Sequence, residues 1–183
     1  MADELDLTDI VERIAPTATR LLSSAVAKQI TFASIESLTG GAFGSAVTAI
    51  PGASRAYRGG LITYATDLKH TLGGVDADVL ATHGAVSQQT AEQLAQQALR
   101  LTGADLAVSM TGVAGPDEQE GKPVGTVWIG VAGPHGAVAQ LRQLEVTDQL
   151  LQRTLIRQLT VLQALEILLL WVEAYGLPRP TGH

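Results

Sequence analysis

Residues 31–49 read TFASIESLTGGAFGSAVTA, a strand, a glycine turn and a helix in immediate succession. Thr31 to Ile35 is short, partly β-branched and bounded by polar residues, which is the pattern of a buried strand. Thr39-Gly40-Gly41 then turns the chain, and the small-residue run behind it suits a helix that stops before Pro51-Gly52. In open α/β sheets, ligands bind at strand-to-helix turns of this kind. Glycines let the backbone approach a ligand, while the first N–H groups of the helix point outward with positive dipole character. The turn suits a phosphate or an oxyanion beside Ser37; equally, Ser37 or Thr39 would sit there as a simple helix cap. It is not a P-loop, because no Gly-Lys-Ser/Thr follows, nor does it match G-x-G-x-x-G.

Working outward, Ile10, Val11, Ile14, Ala18, Leu21, Leu22 and Ala25 recur at helical spacing from Leu7 to about Lys28, with Pro16 expected to break or kink the helix. Gly60–Tyr64 reads as a second strand, followed by a short helix carrying Asp67, Lys69 and His70. A helix opens at Ser87 and ends at Gly103. Leu106–Met110 is a third strand, leading into Thr111-Gly112-Val113-Ala114-Gly115-Pro116. Val124–Ala132 and Ala137–Leu144 form a hairpin through Gly133-Pro134-His135-Gly136. A last helix spans about Asp148 to Ala174. This order predicts an α/β fold, a three-layer α/β/α sandwich on a mixed, mainly parallel five-stranded sheet. Residues 1–183 form one domain with a core of about 8–175, and 176–183 are a tail. The irregular loop is Val113–Pro123, and loops of that length are often functional.

The chain has 183 residues, of which 46% are hydrophobic and 16% charged, so disorder is excluded for its bulk. Cysteine is absent, which removes disulfides, thiolate metal sites and cysteine nucleophiles. A net charge of −6 and 4% aromatics argue against nucleic acid and anionic membrane as partners. The acidic start MADELDLTDIVER lacks the pattern of a secretory signal, and the longest unbroken apolar run, Ile167–Val172, is too short for a bilayer. A cytoplasmic location is expected.

Two more strand ends carry candidate chemistry. Gly59–Tyr64 is followed by Lys69, and a serine nucleophile can use lysine as its base if burial lowers the lysine pKa. Taken alone, Lys69 reads as an ordinary solvated lysine. The small residues of Thr111–Pro116 suit close contact with a sugar or phosphate. His70, His83, His135 and His183 show no metal-ligand spacing, His83 reads as a helix-end cation, and Asp117, Glu118 and Glu120 read as a solvated loop. Three Gly/Ser/Thr-rich turns on one sheet edge imply a pocket for a phosphorylated or nucleotide-like ligand.

The run ESLTGG, then PGASRAYRGGLITY, Lys69, HGAVS, SMTGVAGP and KPVGTVWIGVA closely resembles the CinA C-terminal family, which includes nicotinamide-nucleotide amidohydrolases. The resemblance covers about residues 8 to 172 and implies the stand-alone form of the enzyme. It implies hydrolysis of nicotinamide mononucleotide to nicotinate mononucleotide and ammonia, with no metal and no cofactor. Carried over by motif, Ser37 is the nucleophile, Lys69 its base and Tyr64 a further catalytic residue. Thr39, Gly40, Gly41, Thr111, Gly112 and Arg153 would bind substrate. The chain departs from the family at Leu38 (usually cysteine), at Ala65-Thr66-Asp67-Leu68 and at Leu151-Gln152 before Arg153, where Gly-Asp is usual. The alternative is a catalytically silent nucleotide-binding protein with a regulatory or interaction role.

The last helix explains a mean hydropathy of +0.21. Gln149, Arg153, Arg157, Thr160, Gln163, Glu166 and Glu173 trace a polar stripe at spacings of three and four, but Leu170 falls on it. A helix apolar nearly all round predicts a homo-oligomer packed through this helix, unless the tail after Gly176 covers Leu170.

Overall fold

The computed structural model describes residues 7–175. Its elements are α1 (Leu7–Ala27), β1 (Phe32–Glu36), α2 (Ala42–Thr48), β2 (Tyr57–Ile62), α3 (Thr66–Thr71), α4 (Ala77–His83), α5 (Gln88–Thr102), β3 (Leu106–Gly112), β4 (Thr126–Gly133), β5 (Gly136–Gln143) and α6 (Gln152–Ala174). The sheet order is β2-β1-β3-β4-β5. β1 pairs in parallel with both β2 and β3, whereas β3–β4 and β4–β5 are antiparallel, so β4 alone runs against the other strands.

The period-two alternation of strand side chains sorts the core into layers. Phe32, Val108 and Met110 pack with α1, α2 and α6, together with Val127 and Ile129, whereas Ala33, Ile35 and Ala107 face Leu94 and Ala98 of α5. Both faces are covered, giving the expected α/β/α sandwich. Ser87 caps α5, its Oγ accepting from the Thr90 N–H at 3.2 Å, and Gly103 closes it with φ 63°.

Three local expectations change. α1 runs unbroken past Pro16 because that residue is exposed, so the missing N–H and the freed carbonyl face solvent rather than the core. α4 was foreshadowed only at its end, where His83 stands in the last turn ahead of Gly84 as expected; with none of its side chains fully buried, no apolar period marked its start. α6 starts at Gln152 rather than near Asp148, because the Asp148 carboxylate accepts from the Leu150 and Leu151 N–H groups at 2.9 and 3.1 Å and shapes a turn ahead of the helix.

α6 is covered mainly by its own chain. By length and composition it is the one described helix fit to cross a bilayer (23 residues, mean hydropathy 1.6), but 61% of its most apolar window is buried inside the fold. Ile156, Leu165, Leu168 and Val172 belong to the same core as Leu21, Leu22 and Ala25 of α1. Glu166 on the polar stripe accepts from Arg13 of α1 at 2.8 Å. One chain therefore buries most of this helix, and Leu170 is left 63% exposed. The tail invoked to cover it, residues 176–183, lies outside the described residues.

Leu165 is fully buried. Leu165→Ala is expected to cost about 2–5 kcal/mol in urea unfolding, and Leu170→Ala about 0.5 kcal/mol or less.

Candidate active site

The carboxyl ends of β1, β2 and β3 lie side by side, and the chain leaves each of them through a turn that meets one small cavity. Its volume is about 140 Å³, and Ser37, Tyr64, Lys69, Thr111, Gly112 and Arg153 line it, with Asp117 and Gln119 from the loop after β3. That is smaller than a whole drug-sized ligand site.

Parallel pairing builds the centre. Glu36 is opposite Ile62 in the β1–β2 register, so the next residues, Ser37 and Thr63, emerge beside each other. The Ser37 N–H donates to the Met110 carbonyl at 2.9 Å, and the Thr63 N–H to the Glu36 carbonyl at 2.8 Å, which extends both pairings past the strand ends. α3 brings Lys69 back over them. The lysine is only 2% exposed, with Nζ 2.9 Å from Ser37 Oγ, 2.9 Å from the Thr63 carbonyl and 3.3 Å from the Tyr64 carbonyl. The solvated-lysine alternative is thus overturned. A neutral amine has two N–H groups and one lone pair, so the two carbonyls can take its protons while the lone pair faces the serine hydroxyl. As an ammonium it donates to the same three oxygens. A proton can therefore pass from Oγ to Nζ without rearranging the site. Burial lowers the Lys69 pKa from 10.5 to about 8, and the Glu120 carboxylate opposes that shift.

Arg153 joins the site despite Leu151-Gln152 before it. Its guanidinium donates to the Tyr64 hydroxyl at 2.8 Å and to the Gly115 carbonyl at 2.6 Å, so Tyr64 and Arg153 stand together at the mouth. Thr111 is buried and its hydroxyl donates to the Ala85 carbonyl at 2.7 Å, holding the segment ahead of α5 as one wall. Gly112 admits no side chain, because a Cβ there would lie 2.8 Å from the Thr126 carbonyl oxygen.

Thr39, Gly40 and Gly41 are placed differently from the expectation that they bind substrate. None lines the cavity. The outward N–H groups at the start of α2 are already taken: the Glu36 carboxylate accepts from Gly41, Phe43 and Gly44 at 2.9, 3.1 and 2.9 Å. Thr39 is fully buried and its carbonyl accepts from Arg157 at 3.0 Å. Gly40 and Gly41, with φ of 60° and 97°, shape the turn that presents Ser37. Sequence reasoning passed over Glu36 and gave Arg157 no role of its own. An acidic residue just ahead of a helix start and an arginine one helical turn beyond Arg153 were the available signals.

The family model of the CinA C-terminal domain matches residues 14–172. The chain belongs to this family. A protein named competence-damage inducible from Geobacillus sp. is 53% identical over 107 residues, 58% of this chain and 26% of its own length. A CinA-like protein from Frankia casuarinae is 43% identical over 147 residues, 80% of this chain and 33% of its own. The chain thus spans about a quarter to a third of these curated relatives. Among solved structures, the competence/damage inducible protein CihA from Agrobacterium tumefaciens superposes with a TM-score of 0.80 at 35% identity, over 88% of this chain and 96% of that one. A CinA superfamily protein from Klebsiella pneumoniae gives 0.83 at 26% identity, over 88% and 99%.

The buried lysine also makes a stability signature. Between pH 8 and 10.5 the unfolded chain holds a proton on Lys69 that the folded chain has lost, so this residue makes stability rise with pH through that window. Below pH 8 both states are protonated and the full burial cost of about 3 kcal/mol stands. Lys69→Met is expected to gain on the order of 1–3 kcal/mol at pH 7. Denaturant melts should show that advantage shrinking between pH 8 and 10.5.

Proposed function

We propose that the protein is an amidohydrolase that converts nicotinamide mononucleotide into nicotinate mononucleotide and ammonia, with Ser37 as nucleophile and Lys69 as its base. The observation that carries this is the 2.9 Å contact between Ser37 Oγ and a lysine amine that is only 2% exposed. A silent binding module has no need of a buried, partly neutral lysine at hydrogen-bond distance from a serine, since such an amine destabilises the fold.

In the first half-reaction Ser37 Oγ attacks the carboxamide carbon and its proton moves to Lys69 Nζ. The C–N bond then breaks as Lys69 returns the proton to the departing nitrogen, and ammonia leaves. In the second half, Lys69 takes a proton from water as the water attacks the acyl-serine, the ester bond breaks, and Lys69 returns that proton to Ser37 Oγ. The product leaves as the carboxylic acid, which gives its remaining proton to solvent and becomes the carboxylate. The small cavity suits the pyridine carboxamide end of the substrate. In this reading Arg153, at the mouth, meets the anionic remainder, and it donates to the Tyr64 hydroxyl beside the opening.

Ammonia release from nicotinamide mononucleotide by the purified protein is the test. Ser37→Ala is expected to lower turnover by about 10³-fold or more with the fold intact. Activity should rise with pH through about 8 as Lys69 loses its proton. Lys69→Arg keeps the charge but gives up no proton near neutrality, so it should be as inactive as Lys69→Ala. Substantial activity in folded Ser37→Ala or Lys69→Arg would overturn the mechanism, and absence of ammonia from wild type would overturn the substrate.

A further inference from the structure

The turn that carries Ser37 is held from two sides by charged groups that do not line the cavity. On one side, the Glu36 carboxylate, 2% exposed, accepts from the N–H groups of Gly41, Phe43 and Gly44. On the other, Arg157 of α6 donates through Nε to the Leu38 carbonyl at 2.9 Å and through Nη2 to the Thr39 carbonyl at 3.0 Å. Between these grips the chain closes on itself, with the Gly40 N–H donating to the Ser37 carbonyl at 3.0 Å. We infer that Glu36 and Arg157 are a pair of positioning residues, one fixing the N–H groups and the other the carbonyls of the turn, which together set the aim of Ser37 Oγ. The inference rests on Ser37 acting as the nucleophile.

The chemistry of the pair fits that task. A peptide is planar, so fixing a carbonyl also fixes the N–H of the next residue on the opposite side. Arg157 therefore sets the direction of the Thr39 and Gly40 N–H groups as well as of the carbonyls it touches. Hydrogen bonds to ionised groups are shorter and about twice as strong as neutral ones, and both grips are of that kind. Gly40 is called for by its backbone, whose φ of 60° disfavours side chains, rather than by lack of space, since a Cβ there would meet Nη2 at an ordinary 3.6 Å. Glu36 is also a residue of β1, paired with Ile62 and Met110 on its two sides, so its grip ties the turn to the middle of the sheet. The same carboxylate fills the start of α2, and those N–H groups hold the protein together rather than an anionic ligand.

The test separates aim from fold and from substrate. Glu36→Gln keeps the size but gives one oxygen to three N–H groups and turns an NH2 toward them. Arg157→Lys keeps the charge but loses the two-point geometry. Both are compared with wild type in three measurements: kcat and KM on nicotinamide mononucleotide, the rate at which phenylmethanesulfonyl fluoride labels Ser37 by mass spectrometry, and the pH at which activity is half-maximal. Misplacement of a reacting atom by about 1 Å costs about 10²-fold. Each variant should therefore lose 10–100-fold in kcat and a similar factor in labelling rate, with KM and the half-maximal pH unchanged. Kcat and labelling within threefold of wild type in both folded variants would overturn the pairing, as would a loss confined to KM. If either variant fails to fold, the other decides alone, with Arg157→Gln as its second form. Should wild type release no ammonia while labelling still falls in the variants, the substrate is wrong and the positioning role stands. Should Ser37 of wild type resist labelling altogether, the nucleophile and this inference fall together.

Discussion

An amine shut away from water must find its partners among protein atoms, because an unpaired buried charge is strongly destabilising. Much of the architecture around Lys69 meets that demand. Two of its three partners are carbonyls at the exit of β2, and the third is the hydroxyl at the exit of β1. Those exits are level only because β1 and β2 run parallel, with Glu36 opposite Ile62. On the other side of β1, β3 is parallel too and delivers Thr111 and Gly112 to the same place. The antiparallel strands β4 and β5 complete the sheet beside β3. Backbone direction thus decides where chemistry can occur in this fold, and Lys69 is the residue that could not be accommodated otherwise.

The order of strands and helices was legible because strand alternation and helix spacing agree along most of the chain. Ser87 and Gly103 marked both ends of α5, and the two-residue loop Pro134-His135 marked the hairpin. Ser37, Tyr64, Lys69, Thr111, Gly112 and Arg153 could all be named from motifs, and all line one cavity. What stayed hidden was non-local. Whether the N–H groups of Gly41 are open to a ligand depends on whether the Glu36 side chain turns back toward them. Whether Arg157 has a role depends on how α6 lies across a turn 118 residues earlier. Pro16 was misjudged because its effect depends on which side of the helix meets water. Most of the apolar girth of α6 is taken up by α1 and the sheet of the same chain, a pairing that leaves no local signal in the helix itself.

Every residue of the Ser37–Lys69 centre, together with Tyr64 and Arg153, falls inside the 14–172 segment that defines the family. The relatives from Geobacillus and Frankia devote 26% and 33% of their length to the matched region. The cavity is closed by elements within that segment: the β1–α2 turn, the connection ahead of α5, the loop after β3 and the start of α6.

α6 unites two roles that many proteins assign to separate elements. Arg153 and Arg157, one turn apart, reach the mouth and the serine turn, while Ile156, Leu165 and Leu168 on the same rod are locked into the core. A helix rotates about 100° and advances 1.5 Å with each residue. A single-residue insertion between Arg157 and Thr160 would thus leave the core packing a choice: keep the leucines seated and swing both arginines off their carbonyls, or keep the arginines and unseat the leucines. The reading frame of this helix is shared by folding and by the site, so an indel here disturbs both at once, whereas a substitution at the exposed Leu170 leaves the core and both arginines in place. Drift in length should collect instead in residues 147–151, the exposed end of the connection that precedes the rod.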